Sequence, residues 1–189
     1  MAGIGIKVAT SMASAGALGG GAYGIYTYNN TTDTVRNYLK KNNLTPRTTN
    51  WETVLEAYKL EKTSQTEIQT GAINNADVIK TWCEKNLSSS IQSVKDNLFK
   101  KASQWCVNFQ SISEKLGEAQ FETVASKLTS KYASLQGRIK DLIDGVTGAG
   151  SSNGNGDKIK SWCDSNKKRR FSSDGEFYSS SIKSLCLKG

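Results

Sequence analysis

The sequence predicts a mainly α-helical protein, with two small helical bundle units in tandem behind an N-terminal transmembrane or signal helix. Three observations predict this. The phrase IKTWCEKN at residues 79–86 returns as IKSWCDSN at residues 159–166. Apolar residues recur at helical spacing through much of the chain, and strict alternation over the length of a strand is hard to find. The composition of residues 1–30 also differs from that of the remaining chain.

Residues 1–30 are predicted to be a membrane anchor or a signal segment. Residues 8–28 carry no charge, and a helix of that length matches the roughly 30 Å hydrocarbon thickness of a bilayer. Lys7 precedes this run and tyrosines crowd its far end, which favours an N-terminus inside the cell. The run is rich in small residues, and Arg36, Lys40 and Lys41 reduce the charge asymmetry. A cleaved signal peptide and a flexible leader are therefore the alternatives.

The repeated phrase divides the rest of the chain into a first unit, residues 31–110, and a second unit, residues 111–189. Residues 83–106 align with residues 163–186 without a gap. The alignment places Cys on Cys at both ends and Asn on Asn near its start. Because so many matches are unlikely to arise by chance, we interpret the pattern as a tandem duplication.

A second correspondence lies upstream of the repeated phrase. WETV at residues 51–54 aligns with FETV at residues 121–124, but only if the second unit contains an insertion of ten residues. The Gly-, Ser- and Asn-rich residues 145–158 supply this insertion, and their composition predicts a flexible loop.

Apolar stripes predict the positions of the helices. In the first unit they cover residues 35–39, 51–58 and 78–83, followed by one helix over residues 88–106; in the second unit they predict one long helix over residues 121–143. The tryptophans on or beside these stripes are expected to be core residues rather than parts of a ligand site. They are Trp51, Trp82, Trp105 and Trp162.

Two residues mark the connection between the first two predicted helices. Asn50 stands directly before the second helix, where an Asn side chain commonly caps the free backbone amides. Pro46 lies between the two helices, where we expect a turn.

The four cysteines allow three pairings. Asp174-Gly175, a favoured turn dipeptide, lies midway between Cys163 and Cys186, so a reversal there would bring these two sulfurs together. By symmetry, Cys83 would pair with Cys106. The first unit conflicts with this pairing, because one helix over residues 88–106 would hold its cysteines apart. Pairing between units and four reduced thiols are the alternatives, whereas the spacing suits neither a zinc site nor a redox motif.

Charge and composition limit the classes of function. The chain has 25 Lys and Arg residues against 17 Asp and Glu residues, which gives a net charge of +8. This charge would attract nucleic acid, anionic lipid or an acidic cell surface. The chain contains no His, the commonest general base and a common metal ligand. We therefore predict no enzyme, and no catalytic, cofactor-binding or metal residue.

The densest charge cluster is the run KKRR: Lys167, Lys168, Arg169 and Arg170. Such a basic patch could contact the phosphate groups of nucleic acid or lipid. More often a run of this kind is a solvated loop, which is the interpretation we favour. No nucleic-acid-binding motif surrounds it, so nucleic acid is not the expected partner.

Taken together, these segments resemble the large paralogous families of uncharacterised proteins of haemotropic mycoplasmas. The resemblance lies in the start MAGIGIKVATSMASAGALGGGAYGIYTY, the segment YLKKNNLTPRTTNWETVLEAY, the xIKxWC phrase and the terminal SLCLKG. It implies a membrane-associated, surface-displayed protein of an organism that lives on red cells, with a role in antigenic variation or adhesion. It implies no catalytic or binding residue.

The functional expectation is a non-catalytic, single-pass protein of the cell membrane. Residues 8–28 would contact the lipid bilayer, and the C-terminal body would lie outside the cell and act on a host surface or on another copy of itself. The alternative is a cytosolic, basic nucleic-acid-binding protein whose cysteines are reduced.

Overall fold

A computed structural model of the protein describes residues 33–147 and 154–189. The predicted N-terminal helix lies outside these residues. Within them the chain is mainly helical and contains one small antiparallel sheet, in which Asp33 pairs with Ile91 and Thr34 with Ser90. None of the described helices is long and apolar enough to cross a bilayer.

The first unit begins with a short strand that leads directly into a helix. The Thr34 side chain accepts a hydrogen bond from the Asn37 amide and thereby caps that helix. The elements of this unit are β1 (Asp33–Thr34), α1 (Val35–Lys41), α2 (Trp51–Glu61), α3 (Ala76–Asn86), β2 (Ser90–Ile91) and α4 (Asn97–Trp105).

The second unit repeats much of this order. Its first helix starts at a capping box, in which Ser111 and Glu114 bond each other's backbone amides. The elements are α5 (Ile112–Leu116), a 3₁₀ helix (Glu118–Gln120), α6 (Ala125–Tyr132), α7 (Gly137–Asp144), α8 (Asn155–Asn166) and α9 (Phe177–Leu185).

In both units, the residue that follows the second cysteine pairs with an earlier segment of the same unit. In the first, Pro46 forms an antiparallel bridge with Val107, the residue after Cys106. In the second, Phe121 forms one with Leu187, the residue after Cys186. Phe121 is therefore the structural counterpart of Pro46.

Because Phe121 corresponds to Pro46 and not to Trp51, the predicted alignment of WETV with FETV is wrong in structural terms. Trp51 opens helix α2, whereas Phe121 is extended (φ −74°, ψ 137°) and pairs with the end of its unit. The predicted long helix over residues 121–143 is also wrong. The chain leaves the helical conformation between α6 and α7, and Gly137 then opens α7 with a left-handed φ of 55°.

Three further predictions need correction. Residues 88–106 are not one helix, because β2 follows α3 and the Asp96 side chain caps a new helix by accepting from the Leu98 amide. Asn50 does not cap α2 with its side chain, since its backbone is left-handed (φ 56°) and no such hydrogen bond forms. Helix α8 begins at Asn155, inside the segment predicted to be a loop over residues 145–158.

The buried apolar residues form two clusters that share no member. The first extends from Val35 to Val107 and the second from Ile112 to Cys186. In the second unit α6 and α8 pack closely at Gly156, where an added Cβ would lie 2.1 Å from the Ala125 carbonyl oxygen. Gly156 therefore permits a backbone approach that a larger residue would prevent.

Candidate functional site

Each unit contains one disulfide within its own core. Cys83 and Cys106 join α3 to the end of α4, with Cα atoms 5.5 Å apart, and Cys163 and Cys186 join α8 to the end of α9, with Cα atoms 5.7 Å apart. All four cysteines are buried. This is the within-unit pairing that the Asp174-Gly175 turn suggested. The first unit achieves it because the chain turns between Ser93 and Asp96 rather than continuing as a helix.

The four tryptophans contribute to the apolar clusters. Trp105 is fully buried, donates to the Thr66 carbonyl oxygen at 2.8 Å and meets the Tyr58 ring edge to face. Trp162 is buried and stacks on Tyr178. The other two, Trp51 and Trp82, are half-buried and pack against the first cluster.

The basic run is not the solvated loop that the sequence favoured, because its side chains contact residues of both units. The contact with phosphate groups stays a prediction. The run follows α8 and lies largely between the two units. Its first residue, Lys167, stays within the second unit, where it pairs with Glu118 and Asp164 and lies over the Phe121 ring. Burial opposes the charge of Lys167, but the two carboxylates outweigh it and raise the pKa of this group.

The next two residues of the run reach the first unit. Lys168 donates to Glu56 in α2 at 2.6 Å, and this hydrogen bond lowers the pKa of the Glu56 carboxyl. Arg169 donates to the Leu60 carbonyl oxygen at 3.0 Å, while its guanidinium lies 3.8 Å from the centre of the Tyr178 ring. Leu60 lies in the last turn of α2, where the helix dipole favours a cation such as Arg169.

Arg170 makes the most buried contact between the units. Its backbone amide donates to Glu61 at 2.8 Å, and its Nη1 donates to the Gln104 carbonyl oxygen at 2.8 Å. Its Nε lies 3.4 Å from the other Glu61 oxygen. Burial raises the pKa of Glu61 and lowers that of Arg170, and their mutual attraction opposes both shifts. We call the contacts of Lys168, Arg169 and Arg170 with α2 and α4 the junction.

The partners of the basic run at the junction could not be read from the local sequence. Glu56, Leu60 and Glu61 precede it by more than one hundred positions, and Gln104 by 66. The predicted apolar stripe of α2 also ended at Tyr58, before Leu60 and Glu61. The sequence offered one indirect signal. The first unit has LSSS where the second has KKRR, which indicates that the fold of a single unit does not require these charges.

Arg47 is a second site that the sequence did not reveal. It is 7% exposed, and its guanidinium donates to the carbonyl oxygens of Val107, Phe109, Thr49 and Asn50. Burial lowers the pKa of this guanidinium. These bonds fix the end of the first unit against the start of α2.

Comparisons of the chain with protein-family models, curated proteins and solved structures found no match. The functional conclusion therefore rests on the residues themselves.

Two depressions lie in the described part of the second unit. Their volumes are about 340 Å³ and about 290 Å³, and Lys131 lines both. Its ammonium group donates to the carbonyl oxygens of Leu185 and Leu187 at 3.0 Å and so caps the end of α9. No group of three or more potential metal ligands occurs among the described residues.

Proposed function

We propose that this protein is a membrane-anchored, non-catalytic body displayed outside the cell, which acts by contact with another molecule. The observation that carries this proposal is the pair of buried disulfides, one in each unit. Disulfides form and persist in oxidising compartments and are rare in the cytosol. Export therefore accounts for a chain in which no cysteine is free.

The junction supports a role in recognition. Charged and backbone contacts from Lys168, Arg169 and Arg170 attach the second unit to α2 and α4 of the first. A body with two units held in this way presents a defined surface, and preorganisation of a surface reduces the entropy lost on binding.

Sequence features support the remaining parts of the proposal. The uncharged residues 8–28 would supply the anchor, and the resemblance to haemotropic mycoplasma families suggests a surface antigen or a host contact. The absence of His supports a non-catalytic role, since acid–base catalysis most often uses that residue.

The runner-up is a cytosolic protein that binds nucleic acid. It requires reduced thiols, and its sequence support was the net charge of +8 together with the KKRR run. Glu56 and Glu61 already neutralise two members of that run in the described structure. A phosphate backbone would have to displace these carboxylates, which makes the alternative weaker.

The proposal can be tested on cells that produce the full chain. Free thiols are blocked in intact cells, the membrane and soluble fractions are separated, and the unreduced protein is digested for mass spectrometry. We expect the protein in the membrane fraction, with Cys83 linked to Cys106 and Cys163 linked to Cys186. Protease added outside intact cells should cleave the body while a cytosolic marker stays whole.

A matched variant controls for disulfides that form after lysis. The double variant Cys163→Ser/Cys186→Ser should retain the Cys83–Cys106 link, and blocking before lysis should not abolish that link. Recovery of the wild-type protein in the soluble fraction with four blocked thiols would overturn the proposal in favour of the cytosolic alternative.

A further inference from the structure

Positive charge is used very differently in the two units. Among the described residues of the second unit, every Lys and Arg side chain has a carboxylate, a backbone carbonyl or an aromatic ring as its partner. The first unit leaves a group of exposed cations with no partner of these kinds among the described residues. They are Arg36, Lys40, Lys85, Lys95 and Lys100.

These cations belong to neighbouring elements. Helix α4 packs against both α1 and α3. The Arg36 amide donates to the Leu87 carbonyl oxygen at 3.0 Å, which places the start of α1 beside the end of α3. The Tyr38 hydroxyl donates to the Gln92 carbonyl oxygen at 2.9 Å, which places the middle of α1 beside the segment that leads to Lys95. We call the five exposed cations on these adjoining segments the cationic face.

Nearby carboxylates do not neutralise the cationic face. Asp33 is already held by Lys41, whose ammonium group lies 2.8 Å from it. Asp96 accepts a hydrogen bond from the Leu98 amide at 2.8 Å as the cap of α4. Asp96 keeps its negative charge and Glu84 is an exposed carboxylate, but five cations outnumber these two charges. The face therefore retains excess positive charge and would attract a polyanion.

The position of the face along the chain favours one polyanion. Residues 8–28 are the proposed membrane anchor, and strand β1 begins at Asp33. Even a fully extended connection from residue 28 to residue 33 spans at most about 18 Å. The start of β1 must then lie close to the lipid headgroups, and α1 follows β1 directly.

We propose that the cationic face lies against the anionic headgroups of the bilayer that holds the anchor, so that the first unit rests on the membrane. This proposal rests on the anchor in the proposed function. Each cation close to an anionic surface would strengthen binding by roughly fivefold at moderate salt. The contact should weaken as salt shortens the Debye length below about 10 Å.

Lysine labelling of the full chain in vesicles tests this contact. The protein is reconstituted in phosphatidylcholine alone or with added phosphatidylglycerol, treated briefly with an amine-acetylating reagent, and analysed by mass spectrometry. We expect Lys40, Lys85 and Lys95 to be acetylated several-fold more slowly in the anionic vesicles, and high salt should reverse the protection. Lys127 and Lys183 of the second unit serve as internal references whose labelling should not change.

A pair of variants with equal loss of charge provides the control. Arg36→Gln/Lys40→Gln should reduce the protection of Lys85 and Lys95, whereas Lys127→Gln/Lys183→Gln should leave it unchanged. Equal labelling in neutral and anionic vesicles would overturn the proposal, as would protection of the same lysines by DNA but not by anionic vesicles.

Failure of the anchor would give a different result from failure of the cationic face. A protein that sediments only with anionic vesicles, with protected first-unit lysines, would support the face and refute the anchor. A protein that sediments with both kinds of vesicle but shows no selective protection would support the anchor and refute the face. Sedimentation with neither kind would refute both.

Discussion

Glu61, the last residue of α2, accepts a 2.8 Å hydrogen bond from the backbone amide of Arg170, which lies 109 positions later in the chain. The two side chains also form an ion pair, and each is at most 20% exposed. One carboxylate thus binds both the backbone and the guanidinium of a residue in the other unit. This makes the pair the most sensitive point of the junction.

We expect Arg170→Met to lower the free energy of unfolding by about 3 kcal/mol, because it leaves Glu61 buried without its cation. Urea denaturation of the oxidised protein measures this loss. Lys168→Met is the matched control, and since the Lys168–Glu56 pair is more exposed, it should cost less than about 1 kcal/mol. The double variant Glu61→Met/Arg170→Met should recover part of the loss. Equal effects of the two single variants would contradict this view of the junction.

Gly156→Ala should destabilise the second unit by about 1–3 kcal/mol. The added Cβ would lie 2.1 Å from the Ala125 carbonyl oxygen and would push α6 away from α8. Thermal unfolding measures the effect. At Gly175 an added Cβ meets nothing within 4 Å, so Gly175→Ala should be neutral or slightly stabilising. If Gly156→Ala proved as mild as the control, the close packing of α6 on α8 would be refuted.

Ser179→Ala should leave stability unchanged or raise it by about 1 kcal/mol. The Ser179 hydroxyl is fully buried and has no hydrogen-bond partner, so its removal abolishes an uncompensated desolvation cost. Ser111→Ala is the contrasting variant and should lose about 1 kcal/mol, since Ser111 caps α5. Chemical denaturation compares the two, and a loss at Ser179 equal to that at Ser111 would argue for a partner of the buried hydroxyl.

The protein should lose stability in acid. Hydrogen bonds from Lys41, Lys168 and Lys140 lower the pKa of Asp33 to about 2 and lower those of Glu56 and Asp144 below their ordinary values. A carboxyl whose pKa is lower in the folded state than in the unfolded state stabilises the fold at pH values above its unfolded-state pKa. This stabilisation is therefore present at neutral pH. It is lost as pH falls below the ordinary values of 4.5 for Glu and 3.8 for Asp.

Melting temperatures measured from neutral pH downward would show this loss. Glu56→Gln should flatten part of the acid dependence, because it removes one of the contributing carboxyls. The pKa of Glu61 is raised in the folded state, so this group has the opposite effect on stability. Protonation of Glu61 stabilises the folded state at low pH, and this stabilisation is lost as pH rises above 4.5. A melting temperature that stayed constant down to pH values below 3.8 would contradict the direction of these shifts.

The sequence was most informative where geometry follows from local chemistry. Asp174-Gly175 halfway between Cys163 and Cys186 predicts a reversal, and a reversal there brings α8 and α9 side by side. The mainly helical class also followed from the spacing of apolar residues. The disulfide of the first unit could be predicted only by symmetry with the second. The apolar pattern of the first unit continues without interruption through Asp96, so it did not show that a new helix begins there.

The sequence was misleading where distant pairing decided the conformation. Phe121 has an apolar side chain at helical spacing from Ala125 and Leu128, yet its backbone pairs with Leu187 near the other end of the unit. Arg170 belongs to a run that is typical of a solvated loop, yet Glu61 and Gln104 enclose it. Local composition and periodicity do not show which distant residues a segment contacts, so they could not identify the junction.

The placement of the disulfides also determines how the body responds to a pulling force. Each bridge links residues 23 positions apart while holding their Cα atoms less than 6 Å apart. If both ends of the chain were pulled, the segment inside each bridge would stay slack even after its unit had unfolded. Since an extended residue spans about 3.4 Å, each oxidised unit would lengthen by roughly 75 Å less than a reduced one. The bridges thus limit the reach of the chain under mechanical load.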